Sequence, residues 1–293
     1  MNQRILAATD LSAPSRHAVD RAFRLAAERG WPLSLVHAIA PGLFDELQAM
    51  LGLGAPSLAD TLASEAAERL NRLNRNPVRT RGVVADCAVV SGTPVTAVVD
   101  YAAQIEAGLL VLGARGEGFL HQMTFGSTAS RILRKSRQPV LVVKQPPHEG
   151  YSRLLVAIDF SPASLATLRL ARQVAPDAAV VLLHAVVLPF EGKMQYANVS
   201  DEIIQRYRTG SRAESLRRLE DLASAESLPA GSTQLLAVHA DSAPQLILAQ
   251  EQEHDCDLIV VGKHGVSVVE ELLLGSTTKH VLGEAQGDVL ISI

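Results

Sequence analysis

One glycine pattern occurs twice in this 293-residue chain, at the same place in each half. Gly113-Ala114-Arg115-Gly116, nine residues, then Gly126-Ser127-Thr128 returns as Gly262-Lys263-His264-Gly265, nine residues, then Gly275-Ser276-Thr277. Each member of the second set lies 149 positions after its partner (262 − 113 = 149; 275 − 126 = 149), and the same shift carries Asp10 onto Asp159. A tandem duplication restricts the fold severely, because the repeated unit must close a core within roughly 150 residues, an ordinary domain size. We expect two copies of one domain, residues 1–145 and 151–293, with Pro146-Pro147-His148-Glu149-Gly150 as a short linker.

The hydrophobic pattern names the class. Ile5 to Ala8 is an apolar run ending at Thr9-Asp10-Leu11-Ser12, where turn and N-cap chemistry begins. A helix is predicted over 15–29 and closed by Gly30, then a strand over 31–40. An irregular stretch over 41–60 carries a short helical piece around 43–51. A helix over 58–73, a strand over 83–90, a helix over 94–106, a strand over 109–112, a helix over 127–136 and a strand over 140–144 follow. The second half repeats this order: strands over 154–158, 180–187, 234–239, 258–261 and 289–293, and helices over 162–174, 201–225, 244–253 and 276–282. Strands alternating with helices imply right-handed crossovers and a five-stranded parallel sheet between helices, an α/β Rossmann-like domain in each half.

Composition sets limits. Hydrophobic residues make up 47% and charged residues 20%, enough apolar surface for two cores. A net charge of −4 argues against nucleic acid as the main partner, because such binders present a basic face. Cys87 and Cys256 occupy non-equivalent places in the repeat and belong to no CxxC or Cys/His cluster, so they are expected to be buried, inert thiols. The N-terminus has no signal-peptide h-region, and no apolar stretch reaches the roughly 18 residues of a membrane span, so a cytoplasmic protein with no membrane partner is expected.

The glycines suggest a ligand. In an open parallel sheet, ligands bind beyond the carboxyl ends of the strands, where the strand order reverses, and Asp10 and Gly113 both follow such ends. Gly126-Ser127-Thr128 opens a helix, whose free N–H groups and positive dipole end favour an anion. The same glycines would also serve simply to end a strand and cap a helix. Two copies with a shared spacing favour a phosphate cradle. Other nucleotide motifs fail: there is no GxxxxGK[ST], and His121 stands where Gly116-Glu117-Gly118 would need its third glycine.

With Ala8-Thr9-Asp10-Leu11-Ser12 and Ala157-Ile158-Asp159-Phe160-Ser161 after first strands, and Val36-His37-Ala38 and Leu183-His184-Ala185 in second strands, the G-x2-G-x9-G-[ST] pattern resembles the ATP-binding branch of the universal stress protein family over nearly the whole chain. The resemblance implies a stress-response regulator that binds ATP, or ADP or AMP, with magnesium in each half. Asp10 and Asp159 would face the adenosine, Thr9 and Ile158 with Ala8 and Ala157 would line the adenine slot, and Ala38 and Ala185 would offer backbone groups to the base. Leu112-Gly113 and Val261-Gly262 would border the ribose. Gly116, Gly126, Ser127 and Thr128, with Gly265, Gly275, Ser276 and Thr277, would hold the phosphates. It further implies that the last strands of the two halves pair, making an internal pseudo-dimer, with a protein partner unspecified and a homodimer of whole chains open.

The second half departs from the pattern at Asp241-Ser242-Ala243-Pro244, against Ser91-Gly92-Thr93-Pro94, and at Gly287-Asp288, against Gln138-Pro139, so its site is expected to be looser. Lys263 would add a cation near the phosphates or point to solvent, and Arg115 and His264 lie in the loops with the same two options. His37 and His184 are read as satisfied core or rim histidines. The acidic run from Glu251 to Asp257 is read as a loop entering a buried strand. No carboxylate, Cys or Lys stands in both halves where it would activate a nucleophile, and no His/Cys pair has metal-ligand spacing. A nucleotide-binding regulator with slow or no hydrolysis is therefore favoured over an adenylate-forming or ATP-hydrolysing enzyme of the same superfamily.

Overall fold

The computed structural model describes residues 3–40, 56–116, 126–188, 191–264 and 274–293. The chain divides into two compact units, residues 1–150 and 151–293. The expected helical piece around 43–51 lies outside the described residues.

In unit 1, β1 (Ile5–Ala8), β2 (Leu33–Ile39), β3 (Asp86–Ser91), β4 (Leu109–Gly113) and β5 (Val140–Val143) form a sheet in the order β3-β2-β1-β4-β5. Every pairing is parallel, with Ile5 beside Leu33 on one side and Leu109 on the other. Successive residues Ile5, Leu6 and Ala7 are fully buried, which requires cover on both sheet faces. α1 (Arg16–Arg29) packs on β1 and β4 through Ala18, Ala22, Phe23 and Leu25, and ends at Gly30, whose φ of 66° is the left-handed conformation that suits glycine. α2 (Pro56–Asn74), α3 (Pro77–Thr80), α4 (Pro94–Gln104) and α5 (Ser127–Lys135) complete the unit.

Unit 2 repeats the plan. β6 (Arg153–Ala157), β7 (Ala179–Val186), β8 (Thr233–His239), β9 (Leu258–Gly262) and β10 (Asp288–Ser292) lie in the order β8-β7-β6-β9-β10, again parallel throughout. Its helices are α6 (Ser164–Val174), α7 (Glu191–Tyr196), α8 (Asp201–Ala225), α9 (Ala243–Glu253) and α10 (Ser276–Glu284). Each unit is thus an α/β, Rossmann-like sheet whose order reverses beside its first strand, between β1 and β4 and between β6 and β9.

Local outcomes differ from the sequence expectations at several points, the unexpected α7 among them. Thr9 to Ser12 do not cap α1; the Ser12 N–H donates to Asp10 Oδ1 (3.0 Å) in a tight side-chain turn. α3, unexpected, is held by Asn76, whose Oδ1 accepts from the N–H groups of Val78 and Arg79, with Pro77 at the first helical position. The segment 146–150 is fastened to unit 1: Arg21 Nη1 donates to the Glu149 carbonyl (2.8 Å) and Arg24 Nη2 to that of His148.

Candidate functional site

At the carboxyl end of the sheet in unit 1, beside the β1/β4 reversal, lies a cavity of about 260 Å³. Ala8, Thr9, Asp10, Ala38, Leu112, Gly113, Gly116, Gly126, Ser127 and Thr128 all line it. The corresponding cavity of unit 2, about 420 Å³, is lined by Ala157, Ile158, Asp159, Ala185, Val261, Gly262, Gly275, Ser276 and Thr277. Gly265 lies outside the described residues.

The turn after each first strand sets the carboxylate. Leu11 and Phe160, one position after Asp10 and Asp159, have φ of 65° and 58°, a left-handed conformation that costs a bulky residue roughly 1–2 kcal/mol. Local hydrogen bonds hold the strained backbone: Leu11 N–H donates to Thr9 Oγ1 (3.0 Å), Ser12 N–H to Asp10 Oδ1 and Ser161 N–H to Asp159 Oδ1 (2.9 Å). A Cβ placed on Gly116 would come within 2.5 Å of Asp10 Oδ2, so glycine there lets the loop approach the carboxylate.

The other glycines act differently. None of Gly113, Gly126, Gly262 and Gly275 has a positive φ, so none is needed for an unusual turn. What excludes a side chain is the chain itself. Gly126 N–H donates to the Ala114 carbonyl (2.9 Å) and Gly275 N–H to that of Lys263 (3.0 Å), and added Cβ atoms would lie 3.2 and 3.3 Å from those oxygens. These bonds close the base of each glycine loop and bring a helix N-terminus to the cavity. Neither α5 nor α10 has a side-chain cap or an acidic residue in its first turn, and Ser127 to Ala129 and Ser276 to Thr278 line the cavities. Such termini present N–H groups and a positive dipole end.

His37 Nδ1 bonds the Thr9 carbonyl (2.9 Å) and His184 Nδ1 that of Ile158 (2.8 Å), so the carbonyl partner places the proton on Nδ1. Both rings line the cavities. Burial pushes His184 below the ordinary imidazole value, and Arg218 adds to this against the opposite pull of the Ile158 carbonyl and Asp159. Arg115 and His264 line the cavities of units 1 and 2. Lys263, only 5% exposed, is buried rather than solvated, and the residues described as lining the second cavity do not include it.

Sequence reasoning did not single out Ser15, Val98 and Ile132, which with Pro94 complete the wall of the first cavity, or Ser164, Thr167 and Ile247 of the second. Ser15 and Ser164 stand one repeat apart and would have been found by extending the alignment of the halves past Asp10. The apolar members look like any helix-core residues.

A family model described as the universal stress protein family matches residues 1–144 and again 150–292. A universal stress protein of Mycolicibacterium smegmatis is 28% identical over 291 residues, covering 98% of this chain and 96% of its own length. Universal stress protein Rv2623 of Mycobacterium tuberculosis is 26% identical over 300 residues, covering 98% and 95%. A universal stress protein of Archaeoglobus fulgidus shares the fold, with a TM-score of 0.69 at 20% identity over 99% of this chain and 98% of that one. Two family matches end to end, each on a unit with its own sheet and cavity, mean that this chain belongs to the universal stress protein family.

Proposed function

We propose that each unit binds an adenine nucleotide, ATP or its ADP or AMP relatives, and that the protein is a nucleotide-dependent stress-response regulator that hydrolyses slowly or not at all. One observation carries this reading: in both units an uncapped helix N-terminus without an acidic first turn opens on a cavity at the sheet's reversal point, facing a fixed carboxylate. That donor set suits a phosphate chain at one end and a ribose or base at the other.

Asp10 and Asp159 take the adenosine end, with Thr9, Ile158 and the backbone of Ala38 and Ala185 around the base. Leu112-Gly113 and Val261-Gly262 border the ribose, and the loop glycines with Ser127, Thr128, Ser276 and Thr277 receive the phosphates. Gly116 and Gly265 belong to the phosphate group of residues by their place in the motif. A bound triphosphate carries its own magnesium, which neutralises charge. Among the described residues no group of three or more His, Cys, Asp or Glu is placed to hold a metal ion.

Mass spectrometry of the small molecules released when the purified protein is denatured tests the reading directly. Adenine nucleotide, approaching two per chain, is expected. Protein that releases none, and gives no heat on titration with Mg-ATP, would overturn it.

A further inference from the structure

The chain's net charge is unevenly divided. Residues 1–150 carry 16 Lys and Arg against 13 Asp and Glu, a net of +3, whereas residues 151–293 carry 11 against 18, a net of −7. Four of the 16 basic residues of unit 1 gather around one depression. Arg16 of α1, Arg69 and Arg72 of α2 and Arg79 of α3 surround a surface depression of about 230 Å³, with Leu11 and Leu73 as its apolar lining. Arg79 also borders a neighbouring depression, with Arg24, Arg81 and the carboxylate of Asp20.

Acidic side chains compensate this cluster only in part. Asp20 pairs with Arg79, and Glu68 reaches Arg72 at 3.9 Å, the outer limit of an ion pair. Arg16 and Arg69, both exposed, have no acidic partner among the described residues. The long helix of unit 2 handles its arginines otherwise: Arg206 is paired with Glu202 (3.0 Å), Arg217 with Glu214 (2.7 Å) and Asp221 (3.1 Å), and Arg218 lies 3.9 Å over the Phe160 ring. Where Leu11 stands in unit 1, Phe160 stands in unit 2, so the ring occupies an arginine there and the leucine does not. Like charges gathered without counter-charges repel one another, and an anion removes that repulsion.

We propose that the Arg16–Arg69–Arg72–Arg79 depression is an oligophosphate site on unit 1, separate from both nucleotide cavities, with inorganic pyrophosphate as the simplest ligand of its class. Guanidinium groups match phosphate oxygens with paired N–H donors and keep their charge at every physiological pH. Four guanidinium groups around one depression suit a ligand that carries several negative charges close together. The site depends on guanidinium groups that take no part in the nucleotide reading, so it stands whether or not that reading does. Leu11 joins the two regions: it lines the depression, and its neighbour Asp10 lines the nucleotide cavity.

The test is calorimetric titration of the full chain with inorganic pyrophosphate, comparing wild type with Arg16→Gln/Arg69→Gln and with the charge-matched control Arg206→Gln/Arg217→Gln on the exposed face of unit 2. All four side chains are exposed, so the folds are expected to survive. The Arg16/Arg69 variant is expected to lose one site per chain, or to bind there at least about tenfold more weakly, as removal of charge-assisted contacts requires. The control is expected to match wild type. Phenylglyoxal labelling read by mass spectrometry should show pyrophosphate protecting Arg16 and Arg69 and not Arg206 or Arg217. Unchanged pyrophosphate stoichiometry and affinity in the Arg16/Arg69 variant, an equal loss in the control, or absence of selective protection would each sink the proposal.

Discussion

Thr9 and Ile158 occupy one position of the repeat, and that single difference redirects a serine. In unit 1 Ser15 Oγ pairs with Thr9 Oγ1 (2.8 Å); in unit 2, where Ile158 offers no hydroxyl, Ser164 Oγ donates to Asp159 Oδ1 (3.0 Å). Asp159 Oδ1 therefore accepts from both Ser161 N–H and Ser164. The thiols are equally specific. Burial pushes the Cys256 thiol up to about 12, so it stays protonated at neutral pH. Cys87, expected to be buried, is half-buried, and its thiol is also raised by burial and by Asp86. In native protein at pH 7.5 Cys256 should resist Ellman's reagent and react only once guanidinium unfolds the chain; rapid labelling of the folded protein would refute the assignment. His184 gives a pH prediction. Its folded value lies below 6.5, so the unfolded chain binds the proton more readily, and this contribution to stability is intact above pH 6.5 and lost as pH falls through the folded value. The melting temperature of wild type should fall more steeply between pH 7.5 and 5.5 than that of His184→Gln, and equal slopes would contradict the sign.

At the scale of elements, the second half's departure before its last strand has a structural cause. Glu251 of α9, 3% exposed, accepts from Gln286 N–H and Gly287 N–H (2.7 Å to Oε1), fixing the turn from α10 into β10. A Cβ on residue 287 would lie 2.9 Å from the Asp257 carbonyl and 3.1 Å from Glu251 Oε1, which is why glycine stands there. Asp288, buried, accepts from Tyr151 Oη (2.6 Å), and Asp257 accepts from the backbone of Ser152 and Arg153. Glu251 and Asp257, the two ends of the acidic run, are thus turn fasteners. Glu251→Ala strands buried N–H groups and should lower stability by about 2–3 kcal/mol in urea unfolding, whereas Glu253→Ala nearby should cost little. A loss below ~0.5 kcal/mol for Glu251→Ala would show that the turn is held otherwise. The succession of strands and longer helices along the chain and most of their boundaries could be read from periodicity, because a doubly covered sheet demands continuous apolar runs. The short α3 was missed although Asn76-Pro77 carries its signal; four residues are too few to show a period. Asn74 then bonds both backbone groups of Ala85, and regular β3 pairing begins at Asp86 rather than at Val83.

For the whole molecule, duplication makes two sites of unequal build. The unit 2 cavity is the larger, and its carboxylate and serine are hydrogen-bonded to one another. Titration with Mg-ATP should therefore show two binding events per chain with different affinities, Asp10→Asn weakening one and Asp159→Asn the other; a single event abolished by either variant would overturn independent sites. Nucleotide at 100 times its Kd should stabilise each occupied unit by about 2.7 kcal/mol. Multiple-turnover hydrolysis should stay below about 1 per second, the lower edge of the ordinary enzyme range. Faster turnover abolished at Asp10 and Asp159 would make the protein an enzyme. Among the described residues no helix is long and apolar enough to cross a membrane.

The sequence by itself determined the duplication, the α/β class, the order of the strands and of the longer helices along the chain, and most of the repeat residues that gather at one end of each sheet. These are legible because spacing and periodicity are local, and the parallel topology then sends every strand's carboxyl end to the same rim. Only the tertiary structure decided what the glycines are for. Gly113 and Gly262 are small because carbonyls two residues on pass close by, Gly126 and Gly275 because carbonyls twelve residues back do, and Gly116 because Asp10 does, a contact between residues far apart in sequence. It also decided that Leu11 and Phe160 would adopt a left-handed backbone, which no propensity predicts for such side chains; local side-chain hydrogen bonds offset part of the cost, and the packing that offsets the rest exists only once the sheet has formed.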